Sequence, residues 1–272
     1  MTYAEKGFHM SSEAEEDPVL VERSGAVLTI TLNRPERRNA IDHRGWQRLF
    51  DVLTQTARDE SVRVVVVTGA GGDFCAGADL AADGPVEHPL SGMRLVNSVA
   101  DALHRLPQPV VARVEGVAVG AGLNLALGCD LVVASTTVRF SEIFARRGLS
   151  LDFGGSWLLP RIVGMQQAKR LAFLGDMVDA TEALDLGLVT WVKEPHELDA
   201  FVSELTEQLA KAAPVALAQS KALLHEAASG TFHEALESEA RAQVVNFATD
   251  APSAKQAFLD RVEPTFTGEW QL

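Results

Sequence analysis

Asp152 is the residue whose surroundings first indicate chemistry. It lies in GLSLDFGGSWLLPR, residues 148–161, between an apolar run and a Gly-Gly pair. A carboxylate at this place either caps the helix that follows or transfers protons. The apolar side chains of Leu151, Phe153 and Phe144 are expected to raise the pKa of Asp152 by desolvation, which would make it a better base.

Two glycine-rich loops each follow an apolar, β-branched segment. They are GGDFCAGADL, residues 71–80, and GVAVGAGLNLALG, residues 116–128. Glycines permit tight turns and close approach of a ligand to the backbone, and the first turn of a helix has free N–H groups. Two such loops in one α/β core predict that two backbone N–H groups meet at one oxygen atom as an oxyanion hole.

Other classes of ligand do not fit the sequence. No GxxxxGK[ST] segment is present, which excludes a P-loop, and GAGGDF matches a dinucleotide fingerprint only in part. The 272-residue chain carries a net charge of −13. A nucleic-acid surface needs clustered lysine and arginine, so none is expected. No apolar run is as long as a membrane span, so no membrane partner is expected either.

The cysteines and histidines also bound the function. Cys75 and Cys129 stand among small or apolar residues and are expected to be buried free thiols. The N-terminus lacks the basic region and apolar stretch of a secretory signal. A cytoplasmic location is therefore expected. The histidines show no metal-ligand spacing, so no metal is expected.

Strand-like and helical segments alternate over the first part of the chain, which is typical of a parallel α/β core. Asp42 is expected to cap the first helix and Trp46 and Leu49 to lie on its apolar face. The predicted strands are 26–35, 62–71, 110–119, 130–135, 137–142 and 188–192, and the predicted helices are 42–60, 91–106 and 120–128.

The C-terminal part of the chain has a helical pattern and few strand-like segments. Residues 196–262 are almost wholly helical in pattern, with breaks at Pro214 and at the glycine before residue 231. We therefore expect a disordered acidic tail over residues 1–17, an α/β core over 18–195 and a helical C-terminal region over 196–272.

Five segments of the chain carry a resemblance to a known family. Between about residues 19 and 268 they read LNRPERRNAID, VVVVTGAGGDFCAGADL, PQPVVARVEGVAVGAGLNLALGCDLVVAS, GLSLDFGGSWLLPRIVG and AFLDRVEPTFTG. Together they resemble the enoyl-CoA hydratase/isomerase (crotonase) superfamily, and GLSLDFGGSWLLPR is most similar to its ring-epoxide isomerase branch. The resemblance implies a crotonase-type ββα spiral core with a helical C-terminal trimerisation region. It also implies an acyl-CoA ligand, no cofactor beyond that CoA, and a homotrimer or hexamer.

The resemblance also implies site residues. Ala78 in CAGAD and Ala121 in VGAGLN would hold the thioester oxygen between their backbone N–H groups, and the alternative for both is a small residue required by packing. Glycine is usual at the second position, so the Cβ of Ala121 is expected to narrow the site. Residues 81–95 are expected to line the acyl side. The residues implied to bind substrate are Arg37, Arg38, Ala76, Asp79, Leu80, Asn124 and Phe144.

Hydratases of the family that this chain resembles hold a water molecule between two glutamates. Asn124 and Phe144 occupy those two positions here. Hydration needs one group to take a proton and another to give one, and neither an amide nor a phenyl ring does so. A double-bond shift needs a single carboxylate, since the group that takes the proton from C2 of a 3-enoyl thioester can return it at C4. Several isomerases of the family have an aspartate where Asp152 stands.

The other polar candidates are given weaker roles. Glu142 is expected to be a solvated or salt-bridged strand end, with an unpaired acid near the site as the alternative. Asn124 either binds substrate or water or satisfies helix backbone. Asp79 is expected to cap a helix. Arg37 and Arg38 either meet the phosphates of CoA or are merely exposed.

Three functions are consistent with these residues. The preferred one is an acyl-CoA isomerase that shifts a double bond or isomerises a ring epoxide through an oxyanion-stabilised enolate, with Asp152 as acid/base. The second is an enoyl-CoA hydratase that uses Glu142 or Asp152 in a non-standard way. The third is a non-catalytic acyl-CoA binding protein. The isomerase is preferred because it requires only one carboxylate.

Overall fold

The computed structural model of the chain describes residues 17–81 and 88–271. The predicted disordered tail lies outside these residues apart from Asp17. The strands are β1 (Val19–Ser24), β2 (Val27–Leu32), β3 (Val64–Gly69), β4 (Val110–Val114), β5 (Val117–Val119), β6 (Leu131–Ser135), β7 (Arg139–Ser141) and β8 (Trp191–Lys193).

The helices follow the strands and dominate the C-terminal part. They are α1 (His43–Thr56), α2 (Pro89–His104), α3 (Ala121–Leu127), α4 (Gly155–Leu174), α5 (Ala180–Asp185), α6 (Pro195–Lys211), α7 (Pro214–Ala227), α8 (Phe232–Phe247) and α9 (Ala251–Asp260). Short 3-10 turns span Pro35–Arg37, Ala70–Gly72 and Ile143–Arg147.

The main sheet has six strands in the order β1-β2-β3-β4-β6-β8, and only the β1–β2 pair is antiparallel. Its centre is apolar on both faces because helices cover both. Val65 and Val67 of β3 pack in the large core with α1 and α2, and Val64 and Val66 pack against α6 on the other face. This confirms the predicted α/β core with buried parallel strands.

The predicted strand 110–119 is wrong as a single strand. The chain turns at Gly116, so that β4 stays in the main sheet while β5 pairs with β7 in a second, two-stranded sheet. Gly116 has φ +59°, and a Cβ there would lie 2.3 Å from the Asp73 carboxylate, which accepts a hydrogen bond from the Val117 amide at 2.8 Å. The turn thus carries the second glycine loop out of the sheet to meet the first.

The predictions for α1 and for the two cysteines are confirmed. The carboxylate of Asp42 accepts the Gly45 amide at 2.8 Å and caps α1, whose Trp46 and Leu49 are buried. Cys75 and Cys129 are buried free thiols. In the described part of the chain, no helix is long and apolar enough to cross a membrane.

The region after residue 195 forms α6 to α9, close to the predicted helical pattern. Thr231 and Glu234 form a capping box at the start of α8. Along α8 and α9, Phe232, Phe247 and Phe258 are strongly exposed. These two helices therefore present an apolar surface that the described residues do not cover.

Candidate active site

A cleft of about 600 Å³ lies where the two glycine loops meet the segment before α4. Nine of the ten site residues predicted from the sequence border it, and Asn124 is the exception. Of the segment expected to line the acyl side, Ala81 borders the cleft, residues 88–95 do not, and residues 82–87 lie outside the described residues. The nine are Arg37, Arg38, Ala76, Ala78, Asp79, Leu80, Ala121, Phe144 and Asp152.

The two glycine loops are held side by side by backbone contacts. Cys75 bridges to Ala118 of β5, so the first loop runs alongside the second, and Ala78 bridges to Ile41 of the segment before α1. Gly77, with φ +90°, lies against the turn before α3, where a Cβ would be 2.9 Å from the Val119 carbonyl oxygen. Only a residue without a Cβ permits this approach.

The amides of Ala78 and Ala121 are unpaired at this junction. Ala121 is the first residue of α3, where the helix leaves its N–H free. Neither amide donates to an acceptor in residues 17–81 and 88–271. Both alanines border the cleft. The two neighbouring loops thus offer two free N–H donors to the same cleft.

Asp152 borders the same cleft from the segment before α4. The alternative that its side chain caps α4 is wrong: Gly154 is the N-cap, in the left-handed conformation, and no side chain caps the helix. Only the main-chain oxygen of Asp152 is used locally, by the Gly155 amide at 2.8 Å. Its Oδ1 is buried without a hydrogen-bond partner among the described residues. Burial raises the pKa of Asp152 to about 6, as its apolar neighbours predicted.

Asn124 lies behind the cleft rather than in it. It is fully buried, and its Nδ2 donates to the main-chain oxygen of Asp152 at 3.0 Å. Gly155 makes room for this contact, since a Cβ there would lie 2.4 Å from Asn124 Nδ2. The side chain therefore anchors the segment that carries Asp152.

Phe144 borders the cleft, whereas Glu142 is buried away from it, and the sequence did not show this difference. Phe144 borders the cleft with its side chain almost fully buried. Glu142, expected to be a solvated or salt-bridged strand end, is 0% exposed, and neither carboxylate oxygen has a partner among the described residues. That expectation is wrong, because Glu142 is not at an exposed strand end but is the buried residue between β7 and the turn Ile143–Arg147.

Arginines surround the mouth of the cleft. Arg37 and Arg38 border it, and Arg147 borders it as well. Sequence reasoning missed Arg147, although its spacing of three residues from Phe144 on a 3-10 turn is the signal that would have found it. All three are exposed and leave their guanidinium groups near solvent.

Asp79 does not cap a helix, and that prediction is wrong. No helix of the described residues begins beside it, and its carboxylate instead pairs with Arg34 at 2.9 Å and accepts the Ala81 amide at 3.1 Å. These bonds fix the end of the first glycine loop. Among residues 17–81 and 88–271, no three His, Cys, Asp or Glu side chains converge as a metal site would require.

Comparison of the sequence with known proteins identifies relatives of this chain. The sequence profile of the enoyl-CoA hydratase/isomerase family matches residues 22–269. A 1,2-epoxyphenylacetyl-CoA isomerase of Escherichia coli is 37% identical over 89% of this chain and 95% of its own length. A short-chain-enoyl-CoA hydratase of Clostridium acetobutylicum is 35% identical over the same shares.

The fold comparison agrees with the sequence comparison. The crystal structure of an enoyl-CoA hydratase from Bacillus anthracis matches with a TM-score of 0.88 and 31% identity. The match covers 93% of this chain and all of that chain. Both isomerases and hydratases are thus found among the similar proteins.

Proposed function

The chain belongs to the enoyl-CoA hydratase/isomerase family and has its crotonase fold, and on that basis we propose that it isomerises acyl-CoA thioesters. The proposed reaction shifts a double bond, or isomerises a ring epoxide, through an oxyanion-stabilised enolate. One observation carries the proposal. The cleft combines two unpaired backbone N–H groups with the carboxylate of Asp152, whose Oδ1 has no partner among the described residues, whereas the Asp79 carboxylate on the same cleft is paired with Arg34.

The oxyanion step follows from the two free amides. Removing a proton next to a thioester carbonyl places negative charge on its oxygen. Fixed N–H donors at Ala78 and Ala121 would stabilise that charge without reorganisation. The same amides bind the uncharged carbonyl more weakly, so the stabilisation favours the enolate over the substrate.

Asp152 would transfer the proton. Its carboxylate takes the C2 proton of a 3-enoyl thioester, and the protonated group then returns a proton at C4. The pKa of Asp152 is raised to about 6. This favours the exchange, because a group transfers protons most effectively when its pKa lies near the pH of the solution. Proton transfer of this kind uses only groups of the chain and the CoA thioester itself, so we propose no further cofactor.

Hydration is less well supported than isomerisation. Phe144 offers no proton, and Asn124 does not border the cleft. Glu142 is the remaining acid that a hydratase would use, but it is fully buried behind the lining. A water molecule in the cleft would therefore meet one carboxylate available for proton transfer, Asp152, because that of Asp79 is held by Arg34 and the Ala81 amide.

We propose that the arginines at the mouth of the cleft bind the phosphates of CoA. Arg37, Arg38 and Arg147 border the cleft and are exposed. Arg38 is only loosely paired, with Asp73 at 3.8 Å. Guanidinium groups form paired hydrogen bonds with phosphate, which suits them to this ligand.

A panel of thioesters tests the proposed function. We expect 3-enoyl-CoA or a ring-epoxide aryl-CoA to be isomerised at least about 10²-fold faster than 2-enoyl-CoA is hydrated, because hydration lacks one of its proton-transfer groups. Products are measured by chromatography with mass detection. Hydration at a comparable rate would favour the hydratase. Acyl-CoA binding without turnover on any thioester would show a binding protein.

We further propose that the protein assembles as a trimer, or as a hexamer of two trimers, through α8 and α9. The exposed Phe232, Phe247 and Phe258 give these helices the apolar surface that such an interface would bury. Sedimentation velocity should give three or six chain masses. Phe247→Asp should shift the protein toward smaller species, whereas Glu237→Asp, a conservative change on the same helix, should not. A monomer at micromolar concentration would contradict this proposal.

A further inference from the structure

Glu142 is a buried acid that the proposed reaction does not use. It follows β7 and precedes the turn Ile143–Arg147, with 0% of its surface exposed. Neither Oε1 nor Oε2 has a hydrogen-bond partner among the described residues. An ionised carboxylate in such a place would be costly, whereas a protonated one needs only an acceptor for its O–H.

Atoms that lack partners are gathered around Glu142. Asn124 Oδ1 and Asp152 Oδ1 are also buried and unpartnered. Asn124 lies beside Glu142 and donates its amide to the Asp152 main chain at 3.0 Å. Asn124 Oδ1 is thus an acceptor without a donor, and a protonated Glu142 is a donor without an acceptor.

The charges around Glu142 come from one side. Among the described residues, Asp152 is the charged group whose electrostatic interaction shifts the pKa of Glu142. Neither β5 nor α3 contributes a titratable side chain. The other charged side chains on β7, on the turn after it and on the first turns of α4 are all exposed, and they are Arg139, Arg146, Arg147 and Arg161.

These surroundings set the protonation states of the two acids. Burial, and secondarily the charge of Asp152, raise the pKa of Glu142 to about 8, while the Asn124 amide opposes them. Burial raises the pKa of Asp152 to about 6. Near pH 7, Glu142 therefore holds its proton while Asp152 is ionised, and the pair loses its second proton only in alkaline solution.

We propose that Glu142 is a positioning residue that works in its uncharged form. Its O–H donates to Asn124 Oδ1, and Asn124 in turn holds the main chain of Asp152. Ionisation of Glu142 removes that donor and adds a second negative charge behind the place where the enolate forms. The inference rests on the proposed function for its rate measurement, and on the geometry of Glu142, Asn124 and Asp152 for its structural content.

The pH dependence of isomerisation tests the proposal. With the wild type, we expect kcat to fall about tenfold from pH 7 to pH 9, as the uncharged form of Glu142 is depleted. Glu142→Gln keeps an N–H donor and cannot ionise, so its ratio of kcat at the two pH values should stay near one. Glu142→Leu, which has no donor, should lower kcat at both pH values with little change in KM.

Glu207→Gln, which changes an exposed residue of α6, is the matched control and should keep the wild-type profile. An alkaline fall in Glu142→Gln equal to that of the wild type would overturn the proposal. Loss of turnover in Glu142→Gln at all pH values would also overturn it, because the ionised form would then be the one required.

A second readout does not depend on turnover. Difference infrared spectroscopy should show a protonated-carboxyl C=O band at pH 7 that is absent in Glu142→Gln and present in Asp152→Asn. The band should disappear as the pH of the wild type is raised through about 8. If no thioester is converted, the proposed function fails while this band still decides the state of Glu142. A band that is missing at pH 7 would overturn the inference.

Discussion

Replacing Asp152 with asparagine should lower the rate of isomerisation by about 10²- to 10⁴-fold, the usual contribution of a general acid or base. Asparagine keeps the size of the side chain and cannot carry a proton between C2 and C4. The hydrogen bond that Asn124 Nδ2 donates to the main-chain oxygen of residue 152 does not involve the side chain of residue 152 and should persist. Substrate affinity should therefore change much less than kcat, which steady-state kinetics measures directly.

The pH profile gives the same residue a second test. A base must be ionised to act, and the pKa of Asp152 is about 6. The value of kcat/KM should therefore fall tenfold for each pH unit well below 6 and rise with pH to a maximum near 7, above which the ionisation of Glu142 lowers the rate again.

In Asp152→Asn the residual rate should lose this acidic limb. Asp185→Asn, which changes an exposed carboxylate at the end of α5, should keep the wild-type rate and profile. Unchanged turnover in Asp152→Asn would show that another group transfers the proton.

Replacing Gly77 with alanine should lower kcat/KM by about 10²- to 10³-fold, the typical effect of losing one oxyanion donor. Gly77 precedes Ala78 and has φ +90°. Its new Cβ would lie 2.9 Å from the Val119 carbonyl oxygen and 3.5 Å from the Ala121 nitrogen. The two loops would have to separate, which moves the amides of Ala78 and Ala121 away from a common oxygen.

Gly72→Ala is a matched control for that prediction. Gly72 also has a left-handed backbone, φ +86°, but a Cβ there would meet nothing within 4 Å. Both variants share the backbone strain of alanine at positive φ, about 1–2 kcal/mol, and only Gly77→Ala adds the collision. Equal kcat/KM losses in the two variants, measured with circular dichroism as a check of folding, would mean that strain alone is responsible.

Most of the core was predictable because its signals are local. The β-branched run of β3 and the Asp42 cap of α1 each depend on a few neighbouring residues, and both are where the sequence places them. The division of residues 110–119 into β4 and β5 was not predictable in this way. Every residue around Gly116 suits an extended strand, and the turn depends on contact with Asp73, more than forty positions away.

The candidate site divides in a similar manner. The two loops, Asp152, and the amide and phenyl ring at positions 124 and 144 were found from residue types and their resemblance to a family. The alternative that Asp152 caps α4 was excluded only by the structure, in which Gly154 is the N-cap residue. Arg147 was missed although it stands three residues after Phe144, because the turn that brings both residues to the cleft was not predicted.

The sequence by itself determined which chemical groups the site can contain: one acidic side chain before the Gly-Gly pair, and no acid at positions 124 and 144. Those facts depend only on residue identity. The tertiary structure decided which groups meet and in what state. It brings two loops together so that their free amides border one cleft, and it buries Glu142 against Asn124 and Asp152. Burial sets the protonation of an acid through all of its neighbours at once, most of which are distant in the chain.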